Sequence, residues 1–200
     1  MLFLLSARED FKMLTKAKCR FSDAVQVHLF SIIKVILGSI VLALSARVQI
    51  PLSPVPMTLQ TPAVFMLALL FGGRQACMAV LFYLLQGTFG LPVFSMGICP
   101  LWFFGPTGGY LCAMPVAAYL IGVLAEKRPI SLLWTMFAIL CGQCVIYLFG
   151  FFFLARLIGF EKALTHGVLP FLPSAGLKLL IVSSMRKSYC VVKGYLQSRR

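Results

Sequence analysis

A lysine stands inside an apolar run near the C-terminus, in Gly176-Leu177-Lys178-Leu179-Leu180. A cation near mid-bilayer costs about 2.5–3.5 kcal/mol on insertion scales, and no carboxylate lies near Lys178 in sequence to offset that. Two roles suit it: counter-charge for a ligand carboxylate, or a side chain snorkelling from a helix end to the interface. Gln60 and Gln86 are amides that could read a polar ligand head, or could bond one helix to another. Tyr83 and Tyr110 could wall a pocket and offer hydroxyls, or could sit as interfacial aromatics. Arg47 stands at a helix end before Pro51, where carboxylate pairing and interfacial anchoring both fit.

Several familiar arrangements are absent. Cys141-Gly142-Gln143-Cys144 matches C-x-x-C, but it lies mid-helix with no second pair and no nearby histidine, so neither zinc nor redox chemistry is supported. The seven cysteines are an odd, scattered set, not a disulfide framework. His28 and His166 are isolated. There is no H-E-x-x-H, no G-x-S-x-G and no pair of carboxylates in an apolar run. No G-x-x-x-x-G-K-[ST] loop is present, so the chain does not itself hydrolyse ATP. No catalytic residue, metal or cofactor is expected, and an intramembrane enzyme has no catalytic set behind it.

The elements that must position these residues follow from the apolar runs. Six helices are expected, at about Val27–Ala46, Thr58–Phe71, Gln75–Thr88, Thr107–Ala125, Ser131–Ala155 and Pro173–Met185. Between the first two, Pro51, Pro54 and Pro56 forbid a regular helix. Gly72-Gly73-Arg74 is a tight turn. Gly90 to Pro106 is apolar, aromatic and rich in Gly and Pro, so it reads as a loop that must be buried in protein or line a wet cavity. Arg156 to Leu169 reads as a mixed loop. The second, fourth and sixth helices begin with polar or Gly-rich turns: Thr58-Leu59-Gln60-Thr61, Thr107-Gly108-Gly109-Tyr110, and Ser174. Their free N–H groups on one side would make a site for an anionic or amide-rich ligand. Ser39 and Ala43 on the first helix form a small-x-x-x-small pair that permits close approach, inside the bundle or to a partner helix.

Composition sets the solvent. The chain has 200 residues, 60% apolar and 12% charged, with a mean hydropathy of +0.97. Too few polar residues are present to cover a soluble domain, so the surplus apolar surface must face lipid, at ~20 residues per crossing. The net charge of +13 sits in the breaks between apolar runs and at both ends, which speaks for cytoplasmic loops and against a nucleic-acid surface. With the N-terminus inside, fourteen of the 18 basic residues fall on cytoplasmic segments and three on outer loops. The expectation is an all-α, polytopic membrane protein: a six-helix transmembrane bundle with both termini cytoplasmic. It divides into a basic leader (1–26), the transmembrane domain (27–187) and a basic tail (188–200). Met1 and Met13 are both candidate starts.

The same residues carry a resemblance. The stretch from Arg47 through Pro51-Leu52-Ser53-Pro54-Val55-Pro56 to Thr61 resembles the characteristic block of the BioY family, the biotin-binding S components of energy-coupling-factor (ECF) transporters. Tyr83-Leu84-Leu85-Gln86-Gly87-Thr88 through Phe94, Phe104-Gly105-Pro106-Thr107-Gly108-Gly109-Tyr110-Leu111, and Pro170-Phe171-Leu172-Pro173 followed by Lys178 resemble three further blocks. The likeness covers about Lys34 to Met185. It implies biotin bound near the outer surface of a six-helix bundle in the bacterial cytoplasmic membrane. The implied site residues are Lys178, Gln60, Thr58, Tyr83, Gln86, Gly108, Gly109 and Tyr110. It also implies a transmembrane coupling subunit with two ATPase subunits as partner, contacted through Ser39 and Ala43, or stand-alone action. One departure stands out: Ala175 occupies the position where the family usually has Asp, which leaves a related carboxylate-bearing vitamin or precursor as the alternative ligand. A membrane scaffold, resting on Ser39 and Ala43 alone, is the remaining reading.

Overall fold

A computed structural model describes residues 26, 28–50, 54–95, 97, 99–128, 131–171, 176 and 182. Contacts divide the chain into Met1–Lys34 and Val35–Arg200. Of the first unit the structure describes only the exposed start of a helix; everything below concerns the second. The expected sixth helix, with Ala175 and Lys178, lies outside the described residues apart from Gly176 and Val182.

Among the described residues, three helices are long and apolar enough to cross a membrane: α1 (His28–Arg47), α4 (Gly108–Lys127) and α5 (Leu132–Ile158). Between them come α2 (Gln60–Phe71), apolar but only 12 residues, and α3 (Gly73–Thr88). After α1 the described residues form no helix before Gln60. In its place a short antiparallel hairpin forms, β1 (Gln49–Ile50) on β2 (Met57–Thr58), with Gln49 opposite Thr58 and Leu59 N–H donating to the Val48 carbonyl at 3.0 Å. The helix expected from Thr58 therefore starts later, at Gln60. The mixed loop expected over Arg156–Leu169 is also corrected. α5 runs on to Ile158, Gly159 turns the chain at φ 87°, and a short helix α6 (Phe160–Gly167) follows.

Lipid tails are as apolar as leucine, so helices in a membrane associate through close packing more than through the hydrophobic effect. The contacts follow that rule. α4 lies against α2, α3 and α5 and buries twelve of its residues, most of them Gly, Ala or another small side chain. A Cβ on Gly122 of α4 would fall 2.2 Å from the Gly73 nitrogen, so the end of α4 touches the backbone at the start of α3. At the other end, a Cβ on Gly109 would fall 2.3 Å from Phe153 Cβ of α5. α4 is thus antiparallel to both neighbours. The starts of α2 and α4 share one side with the ends of α3 and α5. α1 turns Gly38, Ser39, Leu42 and Ala46 inward at helical spacing, and a Cβ on Gly38 would meet Ala79 of α3 at 2.8 Å. Its other face, with Leu37, Ile40 and Leu44, is exposed and suits lipid.

At the opposite end of α5, Ser131 caps the helix by accepting from Trp134 N–H at 3.3 Å. The Trp134 indole donates to the Leu124 carbonyl at 2.7 Å, and the Arg128 guanidinium lies 5.2 Å from its ring centre.

Candidate ligand cavity

The helix starts and the two non-helical segments enclose a cavity with about 780 Å³ of empty space, its open mouth included. The hairpin contributes Val55, Pro56 and Thr58, and α2 contributes Gln60 and Thr61. The loop after α3 contributes Phe94, Ser95 and Cys99. Trp102, Tyr110, Leu111 and Met114 come from the region of α4, and Gln143, Ile146 and Tyr147 from α5.

The polar groups are held by their neighbours. Thr58 hydroxyl donates to Gln60 Oε1 at 3.3 Å, and its oxygen lies the same distance from the Gln60 N–H, which donates to it. Gln60 Nε2 donates to the Tyr83 hydroxyl at 2.7 Å, and that hydroxyl donates to the Val93 carbonyl at 3.2 Å. The chain Thr58–Gln60–Tyr83–Val93 therefore runs through a buried interior: Gln60 is 4% exposed and Tyr83 not at all. An amide has two N–H donors and a carbonyl with two lone pairs. Gln60 keeps one N–H and one lone pair beyond these bonds, beside the cavity. Gln143, 6% exposed, is hydrogen-bonded to Tyr147 one turn along α5.

Tyr110 is seated by glycines. A Cβ on Gly150 would fall 2.2 Å from its ring and a Cβ on Gly167 would fall 2.7 Å from its hydroxyl, which donates to the Gly167 carbonyl at 2.9 Å. Gly150→Ala is expected to swing the Tyr110 ring out of its seat and break that bond. Ligand affinity should fall about tenfold, as expected for a displaced buried hydrogen-bonded side chain. Isothermal titration of the purified protein checks this, with a thermal unfolding scan to show that the variant still folds.

The residues expected from sequence do not all meet. Thr58, Gln60 and Tyr110 line the cavity, and Tyr83 stands behind Gln60 as its hydrogen-bond partner. Gln86 is half-buried and is not among the lining residues. Gly108 and Gly109 are packing positions: a Cβ on Gly108 would fall 2.4 Å from the Phe103 carbonyl oxygen, and the Gly108 N–H donates to Gly105. Ser39 has no exposed surface and its hydroxyl donates to Ile36, so it turns into the bundle; Ala43 is half-buried beside it. Gln143, Trp102 and Tyr147 were not anticipated. No cation lines the cavity among the described residues.

Chemically, the enclosure offers two carboxamides, the Thr61 hydroxyl, and apolar walls from Val55, Phe94, Trp102, Met114 and Ile146. That set suits a small, mostly apolar ligand with an amide- or urea-like edge.

The family model described as the BioY family matches residues 16–192. The chain is 36% identical over 156 residues to the biotin transporter BioY of Thermotoga maritima, covering 76% of this chain and 90% of that protein. It is 32% identical over 186 residues to the biotin transporter BioY of Rhizobium etli, covering 86% and 94%. With the probable biotin transporter BioY of Pyrococcus horikoshii it shares 38% over 133 residues, covering 65% and 77%. Among solved structures, the S-component for biotin from an ECF-type ABC transporter superposes with a TM-score of 0.74 at 22% identity, over 82% of this chain and 92% of that one, which shows a shared fold.

Proposed function

Because this chain belongs to the BioY family, we propose that it is a non-enzymatic membrane S component that captures biotin for uptake. The observation that carries the chemistry is the pairing of Gln60 and Gln143 in one largely apolar cavity. A carboxamide presents one N–H and one carbonyl along an edge, which complements the N–H and carbonyl of a ureido group. The aromatic and aliphatic walls suit the fused rings. The valerate tail ends in a carboxylate, and Lys178 is its counter-charge on this reading.

Six crossings with both termini cytoplasmic, as the distribution of lysine and arginine implies, put the cavity mouth on the outer face. The chain then works with a transmembrane coupling subunit and two ATPase subunits, since it has no ATP-binding loop of its own. Ser39 is buried here, so the exposed apolar face of α1 is the better candidate for that contact.

Lys178→Ala tests the assignment. In a biotin-auxotrophic host supplied with coupling subunits, the variant should take up radiolabelled biotin at less than about a tenth of the wild-type rate, the loss expected for one charge-assisted pair. Equal uptake by variant and wild type removes Lys178 from the site, and no uptake by the wild type removes biotin.

A further inference from the structure

The loop wall of the cavity is fastened by three side chains from three different elements. The Arg47 guanidinium, at the end of α1, donates to the Pro92 carbonyl. Gln49 Nε2, on β1, donates to the Ser95 carbonyl at 3.1 Å. Tyr83, on α3, donates to the Val93 carbonyl at 3.2 Å. Within four residues, three backbone carbonyls are gripped from outside the loop.

What this grip positions is Phe94. Its ring is 5% exposed, stands edge-on to Tyr83 at 5.4 Å, and meets Trp102 at 5.8 Å. It lies over Gly87, where a Cβ would fall 2.1 Å from the ring. Phe94 and Ser95 face the cavity on one side, and Val55 and Pro56 of the hairpin face it on another. Gln49 therefore joins the two non-helical walls to each other and Arg47 ties the loop to the end of α1, whereas the other walls are helices interlocked by backbone contact. Both side chains are exposed, and neither lines the cavity.

We propose that Arg47 and Gln49 are positioning residues that hold the Leu91–Ser95 wall shut over the bound ligand and so set how fast it leaves. This rests on the reading of the cavity as a biotin site. A hydrogen bond from a charged donor is worth more than a neutral one, so Arg47 is the stronger of the two. The geometry also separates this role from direct pairing of Arg47 with a ligand carboxylate. A wall clamp slows the departure of any ligand that fills the cavity, charged or not.

The test uses the purified full-length chain in nanodiscs, with Arg47→Gln, Gln49→Ala and Arg47→Lys. Dissociation of biotin and of uncharged biotinamide is timed for each. Without ligand, alkylation by N-ethylmaleimide is followed at Cys99, which lines the cavity, and at Cys77 on α3 as the internal reference. Arg47→Gln should speed dissociation of both ligands about tenfold and Gln49→Ala about threefold, the losses expected for a charged and a neutral bond. Arg47→Lys, which keeps a charged donor, should fall between Arg47→Gln and wild type. Cys99 alkylation should quicken in Arg47→Gln while Cys77 holds its rate. Unchanged dissociation with unchanged Cys99 alkylation overturns the clamp. So does an effect on biotin alone, which would make Arg47 a direct counter-charge, and so does equal quickening at Cys77, which would mean general loosening. Wild-type protein that binds neither ligand, with Cys99 still quickened in Arg47→Gln, overturns the biotin reading and leaves the clamp supported.

Discussion

Gln60→Leu should weaken biotin binding about 100-fold while leaving a folded protein. The Gln60 amide does two things at once. It presents a free N–H and a free lone pair beside the cavity, and it orders the Tyr83 hydroxyl by donating to it at 2.7 Å. Leucine fills nearly the same volume, so no large void opens and the fold is kept. The ligand loses a donor and an acceptor, and the Thr58 hydroxyl loses the oxygen it donates to. Two lost hydrogen bonds in a dry site amount to about 2–3 kcal/mol, which is the expected change in affinity. Tyr83→Phe should cost less, about 1 kcal/mol, because it removes only the outer link to Val93 and a partner for Gln60. Titration calorimetry of both variants checks the order. Equal losses would mean that Gln60 acts only through Tyr83.

Gly122→Val should give no folded protein. The added Cβ would fall 2.2 Å from the Gly73 nitrogen and 2.3 Å from its Cα. Both are backbone atoms at the first turn of α3, and α3 is joined to α2 through Gly72 alone. No side chain can rotate away, so α3 and α4 must separate, and with them the packing that replaces hydrophobic driving force in lipid. A loss of more than about 4 kcal/mol is expected, in the range of severe overpacking and backbone clash. A fluorescent fusion run on size exclusion in detergent should lose its monodisperse peak. Gly105→Ala is the control. Its Cβ would meet only the Trp102 carbonyl oxygen, at 3.4 Å, and its extended backbone suits any residue. It should keep the peak and lose only a few degrees of thermal stability.

The long apolar runs were legible in the sequence because nothing else competes for them. α1, α4 and α5 lie within a few residues of the expected spans, and the Gly72-Gly73 turn falls where it was read. The hairpin was not legible: its strands are two residues each, and three prolines hide any alternation. α6 reads as loop in the sequence because it is only 8 residues long and polar on one side. Gln60, Thr58 and Tyr110, singled out by type and position, line the cavity. Gln143 is masked inside Cys141-Gly142-Gln143-Cys144, where the two cysteines suggest chemistry that the surroundings do not support. The signal was present all the same: a lone amide in the middle of a long apolar helix poses the question asked of Lys178. Gly108 and Gly109 show a further ambiguity, since glycines at a helix start serve close packing as readily as anion binding. Gln86 lies about one turn after Tyr83 on α3 and is half-buried, but it does not line the cavity.

The chain has two tryptophans, and the fold has separated them. Trp102 borders the cavity, while Trp134 is fixed to the Leu124 carbonyl near the opposite end of α5, about 14 Å along the helix from Gln143 at 1.5 Å per residue. One indole therefore emits from beside the ligand and the other from a constant setting. With excitation selective for tryptophan, emission should respond to occupancy through a single fluorophore, with the second supplying an unchanging baseline, so Trp134→Phe would leave a protein whose whole indole signal is its occupancy gauge.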